Sequence, residues 1–576
     1  MPKDRARVVL GTVMALVVTG CATASSSTPG ASTSGASASA TAAPSIPQRT
    51  LVIGVRGEMP SAAALPLVPM GALSQPTWLF NANLDYPDEH GIPRAYLALS
   101  LPSLSDGSWK VFPDGTMQTS YKLRPNLTWH DGVPLTAEDF AFAFKVYSDP
   151  QFGVSGPPPV GAMSEVDAPD PQSIIIKWKQ INADGGAMAQ YFQALPEHIL
   201  ATQYQTLDPS AFVDLPFWTQ DYIGLGPYAI ADWEPGAHVD GMAFDHYVFG
   251  QPKIDHIQLV YFSDPNAGIA AMLAGTVQYV GAFVFSETDG ITLEDQWTLT
   301  HGGTVLYSPV LLRLTQIQVR PEVADPVTLR DPRMRRALAY SIDSANADVI
   351  LAAGKGLVTS TLTSPLEPYY PQIAAVIENH AYNPQMAQQL LEDVGYSKGP
   401  NGMFQDSNGK PLTIGMWASS GDKNEREEAV YVDSLNRTGI GSTTNVFSAA
   451  QLADSQARAL IPGLGIRGLG SKRIEVYTSE QVPTPENRWK GENRGGWNSP
   501  AYDQLFNAYS TTLESTQRIQ ALVQMEALFS EQEPGIPHYF QAEVTPFASG
   551  LAGPVERFTP ESEDSYLHVE QWHWAS

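Results

Sequence analysis

Only one cysteine, Cys21, occurs among the 576 residues. No disulfide can form within the chain, and no thiolate catalyst is available elsewhere in it. Basic residues are scarce too: 34 Lys and Arg stand against 60 Asp and Glu, a formal charge of −26. A surface of that sign repels a phosphate backbone, which argues against nucleic-acid binding. After the N-terminus no apolar run is long enough for a transmembrane helix. The chain has no G-x-x-x-x-G-K-[ST] loop, no G-x-S-x-G elbow, and no H-E-x-x-H among its 11 histidines. Nothing marks a catalytic residue, so an enzyme is not expected, and neither is a cofactor or a metal.

What is present begins at the N-terminus. Lys3, Arg5 and Arg7 precede an apolar run from Val8 to Val18, followed by Thr19-Gly20-Cys21. A positive segment, an apolar core too short to span a bilayer and small residues before a cleavage point describe a secretory signal. Val18 to Cys21 resembles a bacterial lipobox, which predicts a lipoprotein signal peptide over 1–21 and lipid attachment at Cys21. Residues 22–47 are nearly all Ala, Ser, Thr, Gly and Pro. They cannot bury enough apolar surface to offset their ordering entropy, and a flexible tether is expected.

The body is different: 43% of the whole chain is hydrophobic, with 12 Trp, 23 Tyr and 21 Phe. At this length two or three domains are expected. The most informative stretch runs from Tyr121 to Tyr147. Met117, Thr119, Tyr121 and Leu123 alternate with polar residues, the period of a half-buried strand. Pro125-Asn126 and His130-Asp131-Gly132 supply turns, and the adjacent His130 and Asp131 read as turn residues rather than a catalytic pair. Thr136 is placed to cap a helix whose face carries Phe140, Phe144 and Tyr147.

Further along, Thr50 to Val55 reads as a buried strand, and Pro265 to Ala274 as a helix stopped by Gly275. Pro332 to Ile342 spaces Met334, Ala337, Leu338, Ser341 and Ile342 as a buried stripe, which leaves Arg333, Arg335 and Arg336 on a solvated face. Asn383-Pro384 and Ser499-Pro500 each pair a cap residue with proline at the first helical position. Glu427-Glu428 reads as a solvated helix face. Strands and helices interleave throughout, so the class is α/β.

The order of these pieces resembles the family 5 extracellular solute-binding proteins, the oligopeptide-, dipeptide- and nickel-binding lipoproteins of bacterial ABC importers. Trp129-His-Asp-Gly-Val-Pro-Leu-Thr-Ala-Glu-Asp139 is similar to the family's W-H-D-G-x-P-x-T-A-x-D. Gly226-Pro227-Tyr228 with Trp233-Glu-Pro-Gly236, Asp264-Pro265 to Tyr279-Val280, Asp331-Pro-Arg333 to Asp343, Tyr382 to Tyr396, and Trp497 to Asp503 follow in the family's order. The resemblance implies a two-lobed periplasmic-binding-protein-like fold (type II, cluster C-like), with an additional domain and a disordered N-terminal tether. It implies domain I over 48–85, 225–315 and 504–576, domain II over 86–224, and domain III over 316–503. The chain would cross between lobes near Gly224–Tyr228 and Trp497–Pro500.

The same resemblance implies a peptide or similar small solute caught between two lobes. It also implies ABC permease and ATPase subunits on separate chains, contact with the membrane through the N-terminal lipid only, and a monomer outside the cytoplasm, at the outer face of the cytoplasmic membrane or in the periplasm. One departure bears on the ligand. Peptide binders of this family hold the ligand's amino terminus with an aspartate in domain III, yet no aspartate lies between Asp454 and Asp503. Arg467 stands in that neighbourhood, in Leu464 to Gly470, and would repel an ammonium and attract an anionic or hydroxylated ligand; Glu475 or Glu480 could take the acidic role, and the segment could equally be a surface loop. The expected ligand contacts are Arg467, the aromatics Trp417 and Trp497, and Asn498. Gly463, Gly465 and Gly468 satisfy G-x-G-x-x-G, but Pro462 precedes them and Ile474 to Tyr477 reads as extended, so a dinucleotide site is not expected. A secreted hydrolase of peptide or glycan and a surface signalling receptor that kept the fold are the rival readings.

Overall fold

A computed structural model describes residues 50–63, 67, 71–152, 160–187, 192–281, 283–470, 473–558 and 565–575. The signal segment, Cys21, the tether and Lys472 lie outside the described residues. Among the described residues no helix is long and apolar enough to cross a membrane.

An 11-stranded mixed sheet runs through most of the body. Its strand order is Gly441–Phe447, Thr413–Ser419, Leu464–Leu469, Gly303–Ile317, Gly535–Ala548, Tyr279–Val280, Thr50–Val55, His256–Tyr261, His238–Ala243 and Tyr228–Glu234, with Leu357–Val358 paired to the side of Gly535–Ala548. The two long central strands pair antiparallel from Gly303↔Ala548 to Gln316↔Gly535. Their register shifts between Pro309 and Leu311, where proline has no N–H to give the ladder. One end of this pair meets Tyr279–Val280 and the N-terminal strand; the other carries Leu464–Leu469. A second, four-stranded antiparallel sheet is built wholly within 109–178, in the order Trp109–Val111, Met117–Lys122, Ser173–Trp178, Met163–Asp170.

The stretch read first in the sequence forms the expected strand Met117–Lys122 and helix Ala137–Tyr147. Asp139 is what holds it together. Its Oδ2 accepts the N–H of Thr136 at 2.9 Å and the indole N–H of Trp129 at 3.3 Å, while Oδ1 accepts the N–H of Glu197 at 3.0 Å. The last residue of the W-H-D-G…D motif thus closes the helix start onto the first, a cap worth about 1 kcal/mol in a setting where Trp129 is fully buried. His130 lies against the chain crossing: Nδ1 accepts the N–H of Gly224 at 3.2 Å, and Nε2 donates to the carbonyl of Gly226 at 3.0 Å. Burial pushes its pKa down to about 4, so the imidazole is neutral and structural.

Three expectations are corrected. Arg335 is not on a solvated face: it is buried, and its guanidinium donates to the carbonyls of Leu329, Arg330, Gln532 and Glu533. It thereby joins the helix Pro332–Ser341 to the end of the helix Ser515–Gln532. Glu427 and Glu428 are also buried, on the inner face of the helix Asp422–Thr438 with Tyr431, Ser434 and Leu435. Ile474–Tyr477 is a turn of 3-10 helix rather than extended chain.

Candidate functional site

Leu464–Leu469 is a strand, not a loop. It pairs antiparallel with Gly303–Ile317, Leu314 opposite Arg467, and parallel with Thr413–Ser419, Trp417 opposite Gly465. Close packing explains its glycines. A Cβ on Gly463 would sit 2.3 Å from the carbonyl oxygen of Gly415, and one on Gly465 would sit 2.6 Å from Ile461 Cδ1. The G-x-G-x-x-G spacing therefore records sheet contacts and no phosphate loop.

Beside this strand opens a cavity of about 430 Å³, within the range of small-molecule sites. All its lining residues fall between Arg313 and Arg494. Phe447, Leu452 and Ile461 supply apolar wall; Gln316, Ser419 and Asn424 supply neutral polar groups. The rest of its character comes from Arg313, Arg458, Arg467, Arg473 and Arg494, against one lining carboxylate, Glu492.

Arg467 projects from the strand and is pinned by Glu492, whose carbonyl accepts its Nη1 at 2.7 Å and whose carboxylate accepts its Nη2. Arg494 grips the same carboxylate at 3.0 and 3.1 Å. Burial and the Arg494 charge hold the Arg467 guanidinium below its ordinary range. Against the burial that would raise it, those two arginines hold Glu492 below the usual glutamate range. At the cavity's inner wall Arg313 donates to Asn424 Oδ1 at 2.9 Å and pairs with Glu427. Tyr431 adds its hydroxyl to Glu427 at 2.9 Å.

The expected contacts divide. Arg467 lines the cavity. Trp417, in the neighbouring strand, does not line it, but its ring lies 5.2 Å from that of Phe447, which does. Trp497 is instead core: it is buried edge-on against Tyr477 and Tyr502. Asn498 is exposed and accepts the Ser479 hydroxyl at 3.1 Å. Sequence reasoning missed Arg313, Arg458, Arg494 and Glu492. A signal for two of them, Arg458 and Arg494, was legible, since the aspartate-free window from 455 to 502 carries five arginines: Arg458, Arg467, Arg473, Arg488 and Arg494. Arg313 gives no such signal, because only strand pairing brings it there.

Elsewhere, Asp232, His238 and Asp240 share one face of two adjacent strands, with His238 Nε2 at 3.4 Å from Asp232 and 3.6 Å from Asp240. These strands form the opposite end of the large sheet from the cavity.

Comparison with known proteins follows the same lines. A family model, the bacterial extracellular solute-binding proteins, family 5, matches residues 101–465. The oligopeptide-binding protein AppA of Bacillus subtilis is 22% identical over 468 residues, covering 80% of this chain and 81% of that protein. A Brucella ovis protein named for peptide binding in an ABC transporter is 26% identical over 311 residues, 53% of each chain; the chain thus spans about half the length of that relative. Among solved structures, an oligopeptide-binding protein of Thermotoga maritima superposes with a TM-score of 0.76 at 16% identity, covering 92% of this chain and all of that one. NikZ of Campylobacter jejuni, solved with Ni(L-His), gives 0.72 at 20% identity over 92% of this chain and all of that one. These structures share the two-lobed, mixed α/β periplasmic-binding fold. With a match across well over half its length, the chain belongs to the bacterial extracellular solute-binding proteins, family 5.

Proposed function

We propose that the protein is the substrate-binding lipoprotein of an ABC importer, capturing a small solute and delivering it to a permease on a separate chain. The observation that carries this reading is the cavity of about 430 Å³ beside Arg467, in a chain of a solute-binding family. Ligand binding would shift the population towards a closed form whose surface the permease reads. Arg467, with Trp417 behind Phe447, would form the ligand wall; Trp497 and Asn498 lie outside it. Among the described residues that line the cavity there is no histidine, and Ser419 is the one hydroxyl, so the wall pairs no nucleophile with an imidazole base, which supports a receptor rather than a hydrolase.

In this reading domain II is 86–224, domain I is 48–85 with 225–315 and 504–576, and domain III is 316–503. The four-stranded sheet supports it, being confined to 109–178. So does the tight crossing at Gly224 and Gly226, where a Cβ would meet the backbone of Phe80 or Asn81 at 2.1–2.3 Å. Cys21 would carry the lipid, with 22–47 as tether, and the protein would act as a monomer outside the cytoplasmic membrane.

The test is retention and uptake. Purified protein incubated with peptide and oligosaccharide mixtures and with small-solute mixtures should hold an intact solute by mass spectrometry, and cells lacking the gene should lose its uptake. Cleaved products would favour the hydrolase. A retained solute with unchanged uptake would favour the signalling receptor.

A further inference from the structure

The cavity's charge count is unusual for a protein this acidic. Five guanidinium groups line it. Three carboxylates meet them: Glu427 takes Arg313, Glu475 takes Arg473, and Glu492 is shared by Arg467 and Arg494. Arg458 spends its donors on uncharged acceptors, the Leu452 carbonyl and, at 3.0 Å, the Ser455 hydroxyl. Five positive charges against three negative leave two in excess, in a chain whose formal charge is −26.

Hydrogen bonding points the same way. The Nε–H groups of Arg458 and Arg467 are buried and meet no protein acceptor, although buried donors are nearly always paired. A guanidinium offers a planar fork that matches carboxylate and phosphate oxygens, which a lysine ammonium does not. Each of the three carboxylates is already engaged by arginine, so none is left for a ligand's ammonium. Resting on the receptor reading above, we propose that this cavity selects a compact organic anion bearing two negative charges, as carboxylates or phosphates. A zwitterionic peptide would bring its ammonium among under-neutralised arginines. Phe447, Leu452 and Ile461 would cover the ligand's carbon body.

Calorimetric titration of the full chain with citrate, glucose 6-phosphate, trialanine and maltose tests this. Citrate or glucose 6-phosphate should bind, weakening as salt rises, while trialanine and maltose should not. The stronger of the two anions identifies carboxylate or phosphate as the preferred group. Arg467→Gln should weaken that binding by about tenfold or more, as for a lost charge-assisted hydrogen bond. Because Arg467 also holds Glu492, Arg458→Gln provides the second variant: it breaks no carboxylate pair and should weaken the same anion while circular dichroism stays native. Binding of trialanine or maltose that neither variant alters would overturn the anion inference and leave the receptor reading standing. Failure of all four probes to bind folded protein would also overturn it, with the receptor reading then judged by the uptake experiment.

Discussion

The Arg313 guanidinium donates through Nε to Glu427 Oε2 at 3.0 Å, with side-chain exposures of 8% and 0%. The pair links the strand Gly303–Ile317 to the helix Asp422–Thr438 directly beneath the cavity. Against the burial that would raise it, Arg313 holds the Glu427 carboxyl below its ordinary value. The pair therefore adds stability above the unfolded glutamate pKa, and that stability is lost as pH falls through the lower folded value. Glu427→Gln should cost about 3–5 kcal/mol, since it strands a buried charge. A urea titration reads this as a lower midpoint with an unchanged slope.

Two histidines, His538 buried and His130 partly so, give a second acid sensitivity. Burial pushes His130 down to about 4 and His538 down to about 3. His538 is held between the hydroxyls of Thr315 and Ser344, each at 2.8 Å. Both are neutral in the fold yet bind a proton near pH 6.5 when unfolded, so the unfolded state takes up more protons below that pH. Stability from each is present above about pH 6.5 and is lost as pH falls towards the folded value. His538→Gln should flatten the slope of stability against pH between 6 and 4, measured by urea midpoints at each pH. An unchanged slope would refute the assignment.

At the crossing after Leu225, a Cβ on Gly226 would fall 2.3 Å from the Asn81 nitrogen and the Phe80 carbonyl carbon. Both are backbone atoms and cannot swing aside. Gly226→Ala should cost about 3 kcal/mol or more, at the top of the range for overpacking. Ala at Gly236, whose φ is +78° with open space around it, should cost about 1 kcal/mol by backbone strain alone. The two thermal melts should separate in that order.

Arg335 satisfies four carbonyls at the junction of two helices. Arg335→Met keeps most of the volume and removes every donor. It should destabilise by about 2–4 kcal/mol, the sum of several lost hydrogen bonds to a charged group, while leaving ligand affinity intact.

Trp497 separates core from site. Trp497→Ala should lower stability by about 3–5 kcal/mol without changing the affinity of a bound solute measured well below the melting temperature. A selective loss of affinity would return Trp497 to the ligand wall.

Local signals were read well from the chain. Thr136, Asn383 and Ser499 stand where helices begin, and Gly275, at φ +71°, follows the end of one. Each depends on residues within a few positions of one another. The errors share a different origin. Arg335 and Glu427 are charged residues that the prior for polar side chains places in water; they are inside because partners 198 and 114 positions away in the sequence, Glu533 and Arg313, satisfy them. Leu464–Leu469 looked like a loop because its glycines weaken strand propensity, and it is a strand because both neighbours need its bare backbone close.

By itself the sequence determined the family, the α/β class, the turn and cap chemistry around Trp129 and Asp139, and the absence of the family's aspartate between Asp454 and Asp503. Those are matters of order and short spacing along the chain. Only the tertiary structure decided that Arg313 joins Arg458, Arg467, Arg473 and Arg494 around one cavity, and which carboxylates already answer them. Charge balance is a property of neighbours in space, and strand pairing brings together residues up to 181 positions apart, from 313 to 494.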